Sequence, residues 1–229
     1  MLQQRIMPTG IKAIIYDIDN CVAPLSNDDI THSWDPYLAK EFGLALETAA
    51  EKRRHYFETV GCTLRGYAAE YGRNMTWADT VYAETGEASG LRFVSRHTPV
   101  ARLTELFGHI HAKGVLQLVV TQGHPNHYGH ITRHIGLHAY VPANGFTDRT
   151  HPVYEKLEDE VWLHIVSTHG LQPHEFIVLE DTPRNLVRPA ALGMHTMLIG
   201  NRDPGPAADS IHWRYEAAEA GLEDLLPHL

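Results

Sequence analysis

Two cysteines, Cys21 and Cys62, are all that the 229 residues contain. Two cysteines give no disulfide framework, and such scarcity fits a reducing compartment. Long apolar runs are also missing, none approaching the ~18–20 residues a helix needs to cross a bilayer. The opening MLQQRIMPTG carries no long apolar core and no signal-peptide cleavage pattern, so a cytoplasmic protein without a membrane partner is expected. Basic residues are few, 19 Lys and Arg against 28 Asp and Glu, for a formal charge of −9. That balance argues against a nucleic-acid polymer as partner, because such binding neutralises many phosphates at once. It leaves room for one small phosphorylated ligand held by a metal and a lysine. Internal repeats and low-complexity linkers are absent too. What is present, 43% hydrophobic and 21% charged residues, is the composition of a folded globular chain. Its length suits one large domain, or a domain with a modest insertion.

The most informative stretch is IKAIIYDIDNCVAP, residues 11–24. Ile11, Ala13, Ile14, Ile15 and Tyr16 form a short apolar run rich in β-branched residues. Such a run predicts a central strand of a parallel sheet, covered on both faces. It ends in Asp17-Ile18-Asp19. With a side-chain period of two, both carboxylates start on one side of the strand's carboxyl end, where open α/β sheets bind ligands. Two carboxylates so close repel, and a divalent cation, Mg²⁺ for an all-oxygen donor set, relieves that. The plainer reading is that the pair caps a turn or helix.

Further along, strands vanish for almost ninety residues. Segments 28–49, 47–60 and 64–84 carry helical spacing, punctuated by Gly43, Gly61, Gly66, Gly72 and Gly86. Residues 25–95 therefore predict a helical insertion between the first two strands. Pro99 to Lys113 predicts an amphipathic helix, residues 115–120 a second buried strand ending at Thr121-Gln122-Gly123, and 126–134 a helix. Ala139–Val141 is a candidate third strand. A helix over 153–169 leads into the strand 176–179, which ends in Glu180-Asp181-Thr182-Pro183. A helix at 184–192 and a strand at 195–200 follow. Alternation of this kind is the pattern of a doubly wound parallel sheet, an α/β fold. Strand ends in such a sheet converge on one crevice, so Asp17, Asp19, Thr121, Glu180 and Asp181 are expected together, with Lys156 on the preceding helix.

That constellation suits phosphoryl transfer through an aspartyl-phosphate. One carboxylate attacks phosphorus, and another protonates the leaving oxygen and then activates water. Mg²⁺, a lysine and a hydroxyl neutralise and hold the phosphoryl oxygens.

The chain resembles the haloacid dehalogenase superfamily of phosphohydrolases. IKAIIYDIDN matches the family's strand with D-x-D, LVVTQG its strand ending in Thr or Ser, and VLEDTPRN its acidic pair, while RPAALGMHTMLIG is similar to the helix–Gly–strand that follows. The resemblance spans about 11–200 and implies a Rossmann-like core, residues 1–24 and 96–229, with 25–95 as a helical cap. It implies Asp17 as nucleophile, Asp19 as general acid/base, and Asp17, Asp19 (through its carbonyl) and Asp181 as metal ligands. Glu180 would help hold metal-bound water. Thr121 and the backbone after it, at Gln122, would bind phosphate oxygens. Lys156 stands near the expected position of the family's lysine. His151-Pro152 is the rival, because many members carry Lys-Pro there. DIDNCV with VGCTLRGYAAEYG (60–72) is similar to the pyrimidine 5′-nucleotidase-like branch, in which Cys21 takes a place where many members have Thr.

Several residues carry a second reading. Arg65 is either a surface charge or a substrate anchor, with Thr63 beside it. His127, His130 and His134 share one helical face, but no carboxylate or Cys interleaves them, so compositional bias is favoured over a metal site. Cys21 sits among acids that raise its pKa, which favours a packed residue over a reactive one. The expected activity is Mg²⁺-dependent hydrolysis of a small phosphomonoester, nucleoside 5′-monophosphates first, by a monomer or homodimer. The alternatives are a phosphomutase or dehalogenase of the same fold, or a catalytically quiet binding or regulatory protein. Dehalogenating members lack the second Asp, so Asp19 argues against that chemistry.

Overall fold

Ala13–Tyr16 forms the buried strand that the apolar run predicts, β1, and none of its four residues is exposed to solvent. The computed structural model describes residues 6–25, 27–148, 150–151 and 155–229. After β1 come helices α1 (Asn27–Phe42), α2 (Leu46–Val60), α3 (Thr63–Tyr71), α4 (Met75–Arg96) and α5 (Ala101–Ala112). Then follow β2 (Leu116–Val120), α6 (Pro125–His134), β3 (Phe146–Thr147), α7 (Asp159–His169) and β4 (Phe176–Glu180). The chain ends with α8 (Val187–Ala191), β5 (His195–Ile199), β6 (Trp213–Tyr215) and α9 (Ala218–Leu225).

The six strands make one parallel sheet in the order β3-β2-β1-β4-β5-β6, the doubly wound arrangement expected for an alternating chain. Strand β1 is central, and its last residue, Tyr16, pairs with Val119 of β2 and Leu179 of β4. The register brings Asp17, Thr121 and Glu180 to the same end of the sheet. Both faces of β1 are covered. Ala13 and Ile15 join Leu118, Phe176 and Val178 against Val161, Trp162 and Ile165 of α7. On the other face the Tyr16 ring meets Phe107 of α5 edge-on at 5.5 Å. A polar residue inside β2 is satisfied there: Gln117 accepts a bond from the Tyr16 hydroxyl at 3.0 Å and donates to the Phe107 carbonyl at 2.9 Å.

The chain divides into two compact units. The first takes the chain up to Pro24, then Thr98–Gln122 and Thr132–Leu229, and holds the sheet. The second takes Leu25–His97 and Gly123–Ile131. Helices α1–α4 of the second unit share a core of Leu38, Tyr56, Leu64, Tyr67, Ala78, Val81 and Tyr82. Within it, the buried Arg53 donates to Asp35 at 2.6 Å, so neither charge is left without a counter-ion.

The structure corrects the sequence expectation at several places. The helix predicted over 28–49 stops at Phe42, and the one over 64–84 is two helices with a break at Gly72. Gly61 and Gly72 end α2 and α3 in the left-handed conformation, with φ of 83° and 63°. Asn74 restarts the chain as a helix cap, its side chain accepting from the Trp77 N–H at 2.9 Å. Gly66 is no helix end; it lies inside α3, where a Cβ would sit 2.2 Å from the Tyr56 ring.

Ala139–Val141 is not a strand. Leu137–Ala139 is a 3₁₀ turn, and Pro142 cannot donate to a ladder, so pairing with β2 waits until Phe146 and Thr147. Helix α7 begins at Asp159, six residues after the expected start, and residues 153–154 lie outside those described. Its first turn is acidic, Asp159 and Glu160, which suits a helix N-terminus. The segment 184–192 is a 3₁₀ turn, Pro183–Leu186, followed by the short α8. The edge strand β6 is half-buried and carries an arginine, and no apolar run announces it.

Candidate active site

Strand β1 ends and a tight turn begins at once. Asp17 stays tied to the sheet through its N–H to the Leu179 carbonyl at 2.9 Å. The Ala23 N–H returns to the Ile18 carbonyl at 3.0 Å, and the Asn20 N–H donates to Ala23 at 2.7 Å. Asn20 adopts φ 61°, the one non-glycine residue described with positive φ. Asn tolerates the left-handed region better than most L-residues do, which explains an amide at this corner. The turn buries Asp17 and leaves Asp19 half-exposed.

Lys156 reaches the same point from the segment between β3 and α7. It stands in the turn before α7, not on that helix as the sequence suggests. Its carbonyl accepts from the Trp162 indole N–H at 3.0 Å, and the neighbouring Leu157 carbonyl accepts from Arg188 at 3.1 Å. So fixed, the buried Lys156 ammonium lies 2.5 Å from Asp17 Oδ1 and 2.7 Å from Glu180 Oε2. The rival His151 has its ring 4.6 Å from that of His164. Its neighbour Pro152 lies outside the described residues.

At the end of β4, Glu180 also accepts the Thr182 N–H at 3.0 Å, and Asp181 accepts the Thr182 hydroxyl at 3.1 Å. Arg202, just past β5, lies 3.0 Å from Asp181 and donates to the Thr182 hydroxyl at 3.3 Å. Thr121 is buried at the end of β2, its N–H donating to Thr147 at 3.0 Å, and Gln122 after it is half-buried.

Burial raises the Asp17 carboxyl to about 7, helped by the Glu180 charge and opposed by Lys156. Burial likewise raises Asp181 to about 8, with Glu180 and Asp17 adding to it and Arg202 working against it. Burial alone would lower Lys156, but Asp17 and Glu180 hold it above the ordinary lysine value. Cys21 is pushed up by burial and then by Asp17, Glu180 and Asp181, so it stays a protonated, packed thiol. Two cations, Lys156 and Arg202, thus face the three carboxylates of Asp17, Glu180 and Asp181. Asp17, Glu180 and Asp181 each offer an oxygen within 4.8 Å of the others, the one such cluster among the described residues. Hard oxygen donors such as these fit a divalent cation.

Arg65 is exposed on α3 in the second unit, while Thr63 is buried there with its hydroxyl donating to the Arg53 carbonyl at 3.2 Å. His127 and His130 are hydrogen-bonded separately, to Ser89 at 2.6 Å and Glu87 at 3.0 Å, and do not join a metal cluster among the described residues. Two residues escape the sequence reading. Arg202 lies three residues past the end of β5 at Ile199, where the same strand-end rule would have found it. Asp148 follows β3 and closes a turn by accepting from the Thr150 N–H at 2.8 Å and hydroxyl at 2.7 Å. It was hidden by the misplaced third strand.

A model of the haloacid dehalogenase-like hydrolases matches residues 11–191, so the chain belongs to that family. No curated protein matches the sequence. Among solved structures, the chain is similar to a hydrolase from Pseudomonas syringae, at 19% identity and TM-score 0.65, covering 95% of this chain and 97% of that one. A phosphonoacetaldehyde hydrolase-like protein from Oleispira antarctica gives 14% identity, TM-score 0.64 and coverage of 99% and 97%. A dehalogenase gives 14% identity, TM-score 0.59 and coverage of 96% and 97%. At these identities the likeness is one of fold. No described helix is long and apolar enough to cross a membrane.

Proposed function

We propose that this family member is a Mg²⁺-dependent phosphomonoester hydrolase working through an aspartyl-phosphate on Asp17. The observation that carries the reading is the buried Lys156 ammonium held between Asp17 and Glu180, 2.5 Å and 2.7 Å away, beside the Asp181 carboxylate. A fixed cation against the attacking carboxylate is what a site for an incoming phosphate dianion requires.

Asp17, Asp181 and the Asp19 carbonyl would hold the metal, with Glu180 beside them. When bound, Mg²⁺ supplies charge neutralisation for the carboxylates and the phosphoryl group. An Asp17 oxygen attacks phosphorus as the bond to the leaving oxygen breaks, and Asp19 gives that oxygen its proton. Asp19, now ionised, takes a proton from water, whose oxygen attacks the phosphoryl group and returns Asp17 as a free carboxylate. Lys156, Thr121 and the backbone at Gln122 hold the non-bridging oxygens. Asp19 is half-exposed, which suits a group that must exchange protons with substrate and water. A halide leaving group needs no such proton, which favours phosphate esters over dehalogenation.

The second unit is taken as the substrate-choosing cap, with Arg65 as an anchor and nucleoside 5′-monophosphates first among substrates. Two free, buried cysteines suit a reducing cytosol. The test is phosphate release from a panel of phosphorylated metabolites, with Mg²⁺ and with EDTA. Release that requires Mg²⁺ and ranks nucleoside monophosphates high is expected. Absence of release from every ester, with the protein folded, would leave a binding protein.

A further inference from the structure

The histidines on α6 have a use that a metal site does not supply. After Thr121 and Gln122 the chain passes into the second unit, and residues 123–131 lie against α4. The fit there is built from backbone clearance and paired side chains. A Cβ on Gly90 would stand 2.8 Å from the His127 carbonyl oxygen and 3.1 Å from that of Asn126. Gly86 faces His127 and His124 at 3.4–3.6 Å from its own missing Cβ. Ser89 Oγ, buried, lies 2.6 Å from His127 Nδ1 and 3.2 Å from the Gly86 carbonyl oxygen. Asn126 donates to the Ala83 carbonyl at 3.2 Å, and His130 meets Glu87 at 3.0 Å. Five residues of one face of α4 thus grip the helix that begins two residues after the phosphate-binding turn.

We infer that α4, through Ser89, Gly90 and His127, is a positioning element for the Thr121–Gly123 turn and hence for phosphate itself. These residues touch no phosphate; they fix the segment into which the turn runs. The inference rests on the phosphatase reading above and adds a consequence that a substrate-choosing cap does not have. A residue that only reads the organic part of a substrate leaves binding of a bare inorganic anion untouched. A residue that places the turn changes that binding as well.

Orthovanadate with Mg²⁺ is the probe, read as inhibition of hydrolysis of a small artificial phosphate ester by the full chain. Gly90→Ala pushes His127 away from α4, and displacements of this order cost up to about 10²-fold in well-aligned sites. Its inhibition constant for vanadate, and the KM for the small ester, are expected to rise about tenfold or more. Ser89→Ala and His127→Leu, which remove atoms and so avoid the clash, are expected to weaken vanadate in the same direction. His127→Asn, whose amide can still meet Ser89, should restore most of it. Variants that melt at lower temperature yet bind vanadate as wild type does would reduce the contact to a structural one and overturn the inference. So would weakened hydrolysis of large substrates with unchanged vanadate inhibition. A wild type insensitive to vanadate would instead remove the phosphatase reading, and the inference with it.

Discussion

Asp17→Asn is expected to leave no measurable phosphate release while the protein still folds. An amide oxygen is too weak a nucleophile to form the acyl-phosphate, so the reaction loses its first covalent step. Folding should survive, because the substitution removes charge from a cluster with too much of it. Burial and Glu180 already raise the Asp17 carboxyl to about 7. Lys156 keeps Glu180 at 2.7 Å and can still donate to the amide oxygen. Circular dichroism and thermal unfolding of the variant, beside its rate, separate lost chemistry from lost fold. Asp19→Asn is expected to behave differently, slowing turnover by roughly the 10²–10⁴ typical of a missing general acid or base. Wild-type rates in Asp17→Asn would remove the mechanism.

The second large effect belongs to Lys156. Lys156→Ala takes a buried cation from between two buried carboxylates. Removing one partner of a buried ion pair typically costs about 3–5 kcal/mol, because the other charge is left uncompensated. Protonation of Asp17, whose carboxyl is already raised to about 7, offsets part of that, so a loss toward the lower end is expected in denaturant unfolding. Activity should fall by at least about 10²–10³, the scale for losing one preorganised group that stabilises transition-state charge. His151→Ala, whose ring meets His164 and not Asp17, should be mild by comparison. A crippled His151→Ala with an active Lys156→Ala would move the phosphate-side cation to the histidine.

Asp17, Thr121 and the Glu180–Asp181 pair were legible because each follows directly on a buried apolar run. Parallel register then carries strand ends to one place without further information. Lys156 was legible as a residue but not in its setting. It sits in a turn held by Trp162 and Arg188, and hydrophobic periodicity says nothing about turns fastened by such bonds. Arg202 approaches from a loop beyond the matched motifs, and its pairing with Asp181 is a tertiary fact. Gly66 and Gly86 read as helix breakers in a sequence window, whereas both lie inside helices, and the fold uses Gly66 there for close approach. The short β3 and the edge strand β6 carry too few apolar residues for period-two reading to find them.

The most direct measurement of the central claim is capture of the phosphoryl group on the protein. The enzyme is mixed with Mg²⁺ and a phosphate ester, quenched in acid during turnover, and reduced with borohydride, which attacks an acyl-phosphate. Peptide mapping by mass spectrometry is expected to find the modification at Asp17 alone, and none in Asp17→Asn. Turnover with no trapped species, or a label on any other residue, would contradict the claim.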